Sequence, residues 1–377
     1  MSDIPAGTAA NPLPSTQLPL TYDECRARFR RAAASAGLAV RSDAIEALGP
    51  EGQRLTIDSV QLGPAKADRA LVVLSGVHGV EGIIGSAVQC DLLGRLGDTE
   101  LPDGVTALIV HAVNPWGMAW WRRQNESNVD LNRNWLRNEQ APAHNDAYDE
   151  LHPLACPDTA ELPSVDQLMV TAMEWADRKG LEWVRDGITK GQYRHPDGLH
   201  FGGDQTEQSN LILEGLVADL AGARTAVVVD LHTGHGPHGE LTLLSDRPPG
   251  SAQDRFFTQE LGWPAVEATI DNPAATTGMK SGQIGNGIRD LIGAERGYAT
   301  SAEFGTTPDL EQLAATYEEG WVHRRGDRTD PAHAEVVWRY RCCFTPDDPT
   351  WAATCRTSGA QLLDRVINAI ASEQHHG

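Results

Sequence analysis

Residues 70–82 have the sequence ALVVLSGVHGVEG, an aliphatic run that ends in glycines, a histidine and a glutamate. The aliphatic part is continuous rather than alternating, which is typical of a strand covered by helices on both faces. The residues that follow, GSAVQCDLLGRL (85–96), carry apolar side chains at helical spacing. A buried strand followed directly by a helix is the repeating unit of a parallel α/β sheet.

Further strands and helices are predicted on both sides of this unit. Two buried strands are predicted at VTALIVHAVNP (from Val105) and RTAVVVDLHTG (from Arg224), with shorter ones at GELTLLS and GYATSAEFG. RLTIDSVQLG alternates like a half-solvated strand, and TYDECRARFRRAAASAGL predicts a helix capped by Thr21 and ended by Gly37. We therefore expect an α/β fold with a mixed, mostly parallel sheet flanked by helices on both faces.

The domain organisation follows from composition along the chain. The first residues, 1–18, are rich in Pro, Ala and Thr and are expected to be loose. Residues 136–223 are polar and helical, with SVDQLMVTAMEWADRKGLEWVRDG as the clearest predicted helix. We expect one domain over 19–377 with a helical insertion at about 136–223.

Charge and cysteine usage exclude several classes of protein. The 377 residues carry a net charge of −21, with a pI near 4.9, which argues against binding to nucleic acid or to anionic membranes. The N-terminus lacks the pattern of a signal peptide, and the chain has no apolar run of the ~20 residues that span a bilayer. The six cysteines are scattered and predicted to be reduced, so we expect a cytoplasmic protein.

Unusual polar residues follow the predicted strands. His78 and Glu81 come after the first buried strand, Asn114 after the second, His232 at the end of the third and Glu303 at the end of GYATSAEFG. Ligand crevices of open α/β sheets lie outside the carboxyl ends of the strands. These side chains are therefore predicted to meet at one edge of the sheet.

Three of these residues are candidates for a metal site. A catalytic zinc ion takes three N or O ligands and leaves one position for water, and His78, Glu81 and His232 have the required chemistry. An ordinary hydrogen-bonded turn is the alternative for a histidine and a glutamate three residues apart. Glu303 ends an otherwise apolar strand, and a buried glutamate beside a metal site suits a general base.

A loop rich in arginine and asparagine follows the second strand. The stretch NPWGMAWWRRQNESNVDLNRNW contains Arg122 and Arg123, and then Asn132 and Arg133. Guanidinium groups are planar forks that match carboxylates. The loop is therefore a candidate for recognition of a substrate carboxylate.

Taken in order, HGVE, NPWG, WR ten residues before NRN, DLNRN, DLH and EFG make the sequence resemble a known superfamily. It resembles the zinc carboxypeptidases (the carboxypeptidase A-like metallopeptidases), in a bacterial branch catalogued as a domain of unknown function. The resemblance covers about Ala70 to Pro308. It implies one zinc ion and hydrolysis of an amide bond.

The resemblance also implies a role for each matching residue. His78, Glu81 and His232 would bind zinc. Glu303 would be the general base and acid, and Arg122 would stabilise the oxyanion of the scissile carbonyl.

The remaining matches concern the substrate. Asn132 and Arg133 would hold its terminal carboxylate, and Asp130 would orient the imidazole of His78. Arg123 is a further substrate-binding candidate and competes with Arg122 for the oxyanion role, although the spacing to Asn132 favours Arg122.

Two substrate classes stay open. DLNRN and EFG favour a peptide with a free C-terminus, as for a carboxypeptidase. The large insertion, and the lack of an assignable counterpart to the tyrosine on the family's mobile loop, keep an N-acyl amino acid open, as for aspartoacylase and succinylglutamate desuccinylase. A non-catalytic binding protein is a third, disfavoured alternative because the ligands and base are all present.

Other histidines are given lesser roles. Tyr193, His195 and His200 lie in QYRHPDGLHFGG, which predicts a surface loop near the mouth of the cleft. His235 and His238, in a Gly- and Pro-rich stretch after a strand, are predicted to be rim residues.

Overall fold

The computed structural model of the protein describes residues 18–64, 66–98, 100–136, 144–270 and 280–372. Except for Leu18, the N-terminal segment predicted to be loose lies outside these ranges. The beginning of the predicted insertion, 137–143, also lies outside them.

Eight strands within the described residues form one sheet. They are β1 (Arg41–Leu48), β2 (Arg54–Leu62), β3 (Arg69–Ser75), β4 (Val105–His111), β5 (Thr225–Gly234), β6 (Leu241–Ser245), β7 (Val266–Ala268) and β8 (Arg296–Gly305). Their order is β1-β2-β4-β3-β5-β8-β6-β7. The central strands β4, β3, β5 and β8 are parallel to one another. Outside them, β1 pairs antiparallel with β2, β2 with β4 and β6 with β8, whereas β7 is parallel to β6.

The described helices cover both faces of this sheet. They are α1 (Tyr22–Ser35), α2 (Gly82–Asp98), α3 (Pro115–Trp120), α4 (Asp146–Ala155), α5 (Val165–Lys179), α6 (Leu181–Thr189), α7 (Gln208–Val217), α8 (Ala252–Arg255), α9 (Ile284–Ile292), α10 (Asp309–Arg325), α11 (Pro331–Phe344) and α12 (Pro349–Ser372). Helices α1, α2 and α12 share one apolar core with the sheet, and α3, α7 and α9 share the other. Among the described helices, none combines the length and the apolar character needed to cross a membrane.

The two cores explain why β3 is apolar throughout. Leu71 and Val73 belong to the core on one face, whereas Val72 and Leu74 belong to the core on the other. All four side chains are fully buried, as expected for a central strand between two helical layers. The predicted fold class, a mixed and mostly parallel sheet with helices on both faces, is confirmed.

Local signals were confirmed at some positions and wrong at others. The Thr21 hydroxyl accepts a hydrogen bond from the Glu24 amide at the start of α1, and Gly37 follows the helix with φ of +71°. The long helix predicted after Ser164 is instead two helices, because Gly180 between α5 and α6 has φ of +97°. A positive φ is open to glycine and ends the α-helical backbone.

Candidate metal centre and its surroundings

The HGVE turn forms where β3 ends and α2 begins. Gly76 has φ of +66°, which lets the chain turn sharply after the strand. His78 precedes a single 3₁₀ turn, Gly79–Glu81, that continues into α2. A Cβ on Gly79 would lie 2.0 Å from the carbonyl carbon of Gly117, so only glycine lets α3 pack this closely. The turn therefore directs both polar side chains inward at the carboxyl edge of the sheet.

His78, Glu81 and His232 come together there. Nδ1 of His78 lies 2.9 Å from Oε1 of Glu81, and Nδ1 of His232 lies 2.9 Å from Oε2 of the same carboxylate. One donor atom from each residue lies within 4.8 Å of the others. The three side chains are at most 5% exposed. The turn and β5 thus bring two nitrogens and a carboxylate to one buried point.

A second carboxylate contacts each imidazole from behind. Oδ1 of Asp130 lies 3.1 Å from Nε2 of His78, and Oδ2 of Asp230 lies 2.7 Å from Nε2 of His232. Both rings are thereby oriented with Nδ1 toward Glu81. The role of Asp230 was missed at the sequence level, although D-x-H on a strand places both side chains on one face.

The residues present fit a zinc ion. Nδ1 of His78 is buried and makes no hydrogen bond within the described residues, despite its proximity to Glu81. A buried polar atom without a partner calls for a missing ligand. Two imidazole nitrogens and a carboxylate, with outer carboxylates on the far ring nitrogens, are the donor set typical of zinc.

The charges of this group are strongly coupled. Burial disfavours a charged imidazole, but the charges and hydrogen bonds of Asp230 and Glu81 outweigh burial and raise the pKa of His232 well above its usual value. Burial likewise opposes ionisation of Glu81, but His78 and His232 outweigh it and lower the pKa of Glu81. The positive charge of His232 and the negative charge of Glu81 therefore favour each other.

Glu303 stands beside His232 in the sheet. In the parallel pair β5–β8, His232 is in register with Glu303 and Asp230 with Ser301. Side chains at paired positions of adjacent strands point to the same face. Glu303 is partly buried, and its charge acts on His235 and Lys280. The predicted base therefore occupies the strand position next to a metal-ligand candidate.

The two neighbouring arginines have different partners in the structure. Nε of Arg122 donates to Glu319 on α10 at 3.1 Å, and Glu319 is not part of the His78–Glu81–His232 group. Arg123 instead donates from Nε to Oδ2 of Asp130 and from Nη1 to Oε1 of Glu81, both at 3.1 Å. The sequence spacing from either arginine to Asn132 does not show which of the two side chains contacts Glu81.

Asn132 and Arg133 lie near the site but are committed to the protein. Oδ1 of Asn132 accepts the Ile284 amide at 2.9 Å. Arg133 is 1% exposed, and donates from Nη1 to the Asn132 carbonyl and from Nη2 to the Thr189 carbonyl, each at 2.9 Å. Burial lowers the pKa of Arg133, with Asp130 opposing. The Asn132 carbonyl and the C-terminal end of α6 thus take the two ends of the predicted carboxylate fork, whereas Nε of Arg133 is buried without a hydrogen-bond partner among the described residues.

His200 lies inside the site rather than on a surface loop. Nδ1 of His200 is 3.2 Å from Oδ2 of Asp130, and its side chain is 13% exposed. Burial lowers the pKa of His200 to about 4, although Asp130 opposes this. Nearby, the Tyr193 hydroxyl donates to the Arg133 carbonyl at 2.6 Å. The surface-loop prediction was wrong for His200, because its ring is mostly buried against Asp130.

The remaining predicted rim residues have partners of their own. Nε2 of His235 lies 2.9 Å from Glu267, and Nδ1 of His238 lies 3.0 Å from the Thr306 carbonyl. His195 is paired with Asp149 at 2.8 Å. None of these three belongs to the His78–Glu81–His232 group, as far as the described residues show.

Solved structures similar to this chain include members of the superfamily suggested by the sequence. Carboxypeptidase A from Helicoverpa armigera has 13% identity and a TM-score of 0.46, covering 89% of this chain and 76% of the other. Succinylglutamate desuccinylase from Chromobacterium violaceum has 16% identity and a TM-score of 0.35, covering 88% and 76% respectively. At these TM-scores the likeness does not bear on the reaction of this chain.

Comparison by sequence is more informative. No curated protein matches the sequence. One family model, described as "Protein of unknown function (DUF2817)", matches residues 19–357. This agrees with the branch of unknown function expected from the sequence motifs. Because the match spans most of the chain, the protein belongs to the DUF2817 family.

Proposed function

We propose that the protein is a zinc-dependent hydrolase that cleaves an amide bond next to a free carboxylate. The observation that supports this best is the buried group of His78, Glu81 and His232, with a carboxylate behind each ring. Glu303 stands in register with His232 on the next strand. Three ligands and a base on neighbouring strand ends match the requirements of metal-assisted hydrolysis.

Each residue has a distinct task in this proposal. His78, Glu81 and His232 would hold zinc, which when bound supplies Lewis acidity for a carbonyl and lowers the pKa of water. Glu303 accepts a proton from the attacking water and returns it to the leaving amine. Arg123 supplies positive charge for the developing oxyanion, the role that the sequence resemblance gave to Arg122.

Two substrate classes fit this chemistry. The first is a peptide with a free C-terminus, as for a carboxypeptidase. The second is an N-acyl amino acid, as for the aspartoacylase and succinylglutamate desuccinylase type. Both classes carry the same group, a free carboxylate beside an acylated nitrogen, so the contacts of Arg133 do not choose between them.

The test is metal content and turnover of purified protein reconstituted with zinc. A panel of N-acetyl amino acids, blocked dipeptides and tetrapeptides would be assayed by mass spectrometry for the released amine. His232→Ala should lose stoichiometric zinc, whereas Glu303→Gln should keep zinc and lose roughly 10²- to 10⁴-fold in turnover.

Exposed residues provide matched controls. Glu311→Gln on α10 and His144→Ala before α4 make the same chemical changes on the surface, and both should keep wild-type turnover. Because His144, Asp146 and Asp149 could also hold a metal, unchanged zinc content in His144→Ala shows that the bound zinc is not theirs. Zinc that stays below stoichiometric level after reconstitution of the wild type would refute the proposal. So would near-normal turnover by Glu303→Gln.

A further inference from the structure

Three basic side chains among the described residues interact with the carboxylates of the candidate site, and they differ in how many hydrogen bonds and ion pairs they already make. Arg123 donates to Asp130 and Glu81. Arg133 donates to two backbone carbonyls. Lys280 has neither an ion pair nor a hydrogen bond with any residue that the structure describes. It is therefore the basic group that remains available to a ligand.

Lys280 is held in place by the residues that follow it. The Gly282 carbonyl accepts a hydrogen bond from the Trp135 amide at 3.0 Å. Gly282 has φ of +71°, and a Cβ there would lie 2.3 Å from the Arg133 carbonyl oxygen. Two residues later, the Ile284 amide donates a hydrogen bond to Oδ1 of Asn132. The backbone after Lys280 is thus anchored directly on the loop that carries Arg133.

The ammonium group lies among the charges of the site. Burial lowers the pKa of Lys280 to about 8, Arg133 and Arg123 act in the same direction, and Glu303 and Asp130 oppose them. Lys280 is therefore a partly buried cation whose charge interacts with both the proposed base and Arg133. A partly buried cation has lost some of its hydration, so an ion pair with an anionic ligand stabilises it.

The charge balance of the site indicates the same kind of ligand. The described residues of the site include four carboxylates and three basic side chains, and a divalent ion on His78, Glu81 and His232 would bring their summed charge to one positive unit. These groups are Glu81, Asp130, Asp230 and Glu303 on one side, and Arg123, Arg133 and Lys280 on the other. A substrate with one negative charge would neutralise the loaded site.

We propose that Lys280, and not Arg133, binds the free carboxylate of the substrate and thereby determines its class. This inference rests on the proposed function and deepens it. The substrate is an amino acid acylated on nitrogen, whose carboxylate pairs with Lys280 while its amide faces Glu303. Arg133 then has a structural task, fastening the loop Asn132–Arg133 to helix α6.

The test compares matched substrates in matched variants. Each hydrolysed N-acyl amino acid would be assayed as the free acid and as the primary amide, in wild type, Lys280→Met and Lys280→Arg. Wild type should prefer the free acid. Lys280→Met should lose roughly 10- to 100-fold in kcat/KM for the acid, mainly through KM, and only a few-fold for the amide. Lys280→Arg should restore part of the preference.

A second measurement does not depend on turnover. The zinc-loaded protein would be titrated by calorimetry with a fixed panel of free amino acids, one for each acylated substrate tested. At least one should bind the wild type, and its affinity should fall by a similar factor in Lys280→Met. Lys190→Met changes an exposed lysine paired with Asp186 on α6 and should alter neither measurement. Unfolding temperatures would show that each variant is folded.

The outcomes separate the inference from the proposed function. If wild type hydrolyses some substrates but Lys280→Met loses acid and amide equally, the carboxylate does not bind Lys280 and the inference is wrong. If wild type hydrolyses nothing, the proposed function is wrong, and calorimetry still decides the role of Lys280. Amino acid binding that is absent in wild type, or unchanged in Lys280→Met, would overturn the inference.

Discussion

For the zinc site proposed above, replacing Asp230 with asparagine should weaken zinc binding without unfolding the protein. Oδ2 of Asp230 lies 2.7 Å from Nε2 of His232, and both side chains are 1% exposed. Asparagine has nearly the same size and can still accept a hydrogen bond, but it lacks the charge. The variant therefore removes the charge behind one ligand and leaves the packing intact.

The size of the effect follows from the kind of hydrogen bond that is lost. Bonds to a charged group contribute about 1.5–3 kcal/mol and neutral ones about 0.5–1.5 kcal/mol. The difference, about 1–2 kcal/mol, corresponds to a loss of roughly 5- to 30-fold in affinity. Outer partners of zinc histidines generally alter affinity by roughly 10- to 100-fold, so the two estimates overlap.

Proton competition modifies this effect with pH. Burial opposes charge on His232, but Asp230 with Glu81 raises the pKa of His232, so that zinc must displace a proton at neutral pH. Asparagine weakens that competition as well as the bond to zinc. The difference in zinc affinity between wild type and Asp230→Asn should therefore be smaller at pH 7 than at pH 9.

The assay is competition for zinc against a chromophoric chelator at both pH values. Asp91→Asn is the control, because Asp91 pairs with Arg356 at 2.7 Å away from the candidate site. Equal zinc affinity of wild type and Asp230→Asn at pH 9 would refute the reasoning. An equal loss in the control variant would show that the effect is not specific to the site.

Other predictions follow from individual residues. Arg123→Gln and Arg122→Gln should each lower the free energy of unfolding by about 1–3 kcal/mol, since each removes a buried ion pair. Only Arg123→Gln should also lower turnover, so kinetics beside urea unfolding distinguish the two. Gly282→Ala should destabilise by at least about 1–2 kcal/mol in the same unfolding assay, because φ is +71°. Burial lowers the pKa of Lys280 to about 8, so the KM for a free-acid substrate should begin to rise at about pH 8, where Lys280 loses its proton. In Lys280→Arg this rise should begin at a higher pH. Burial lowers the pKa of His111 to about 4, so its contribution, about 3 kcal/mol, should be complete above pH 6.5 and fall away toward pH 4; His111→Phe should flatten that part of the stability–pH curve.

The features that the sequence predicted well are local or periodic. The continuous apolar run of β3 and the glycines after it indicated both the central strand and the turn that presents His78 and Glu81. Polar residues at strand ends indicated His232 and Glu303, because parallel strands deliver their carboxyl ends to one edge. Short-range pattern and one general rule of topology were sufficient for these residues.

The features that it predicted poorly depend on distant contacts. Arg122 and Arg123 are adjacent, and only the position of α10 shows that Arg122 pairs with Glu319. The burial of Arg133 depends on Thr189, a carbonyl 56 residues away along the chain. His200 was predicted to lie on a surface loop, but it contacts Asp130 in the interior. No local pattern contains these pairings, so a single sequence could not supply them.

The pairing of β5 with β8 separates what must stay fixed from what can vary. Ten successive residues of the two strands are in register, from Thr225 with Arg296 to Gly234 with Gly305, so backbone hydrogen bonds set the spacing between His232 and Glu303. Lys280 is supplied by a separate segment that precedes α9. Exchanging that segment for one from another family member should transfer its substrate preference while leaving bond cleavage intact. Natural divergence within the family could follow the same route, since selection acting on this segment does not have to disturb the ladder beneath it.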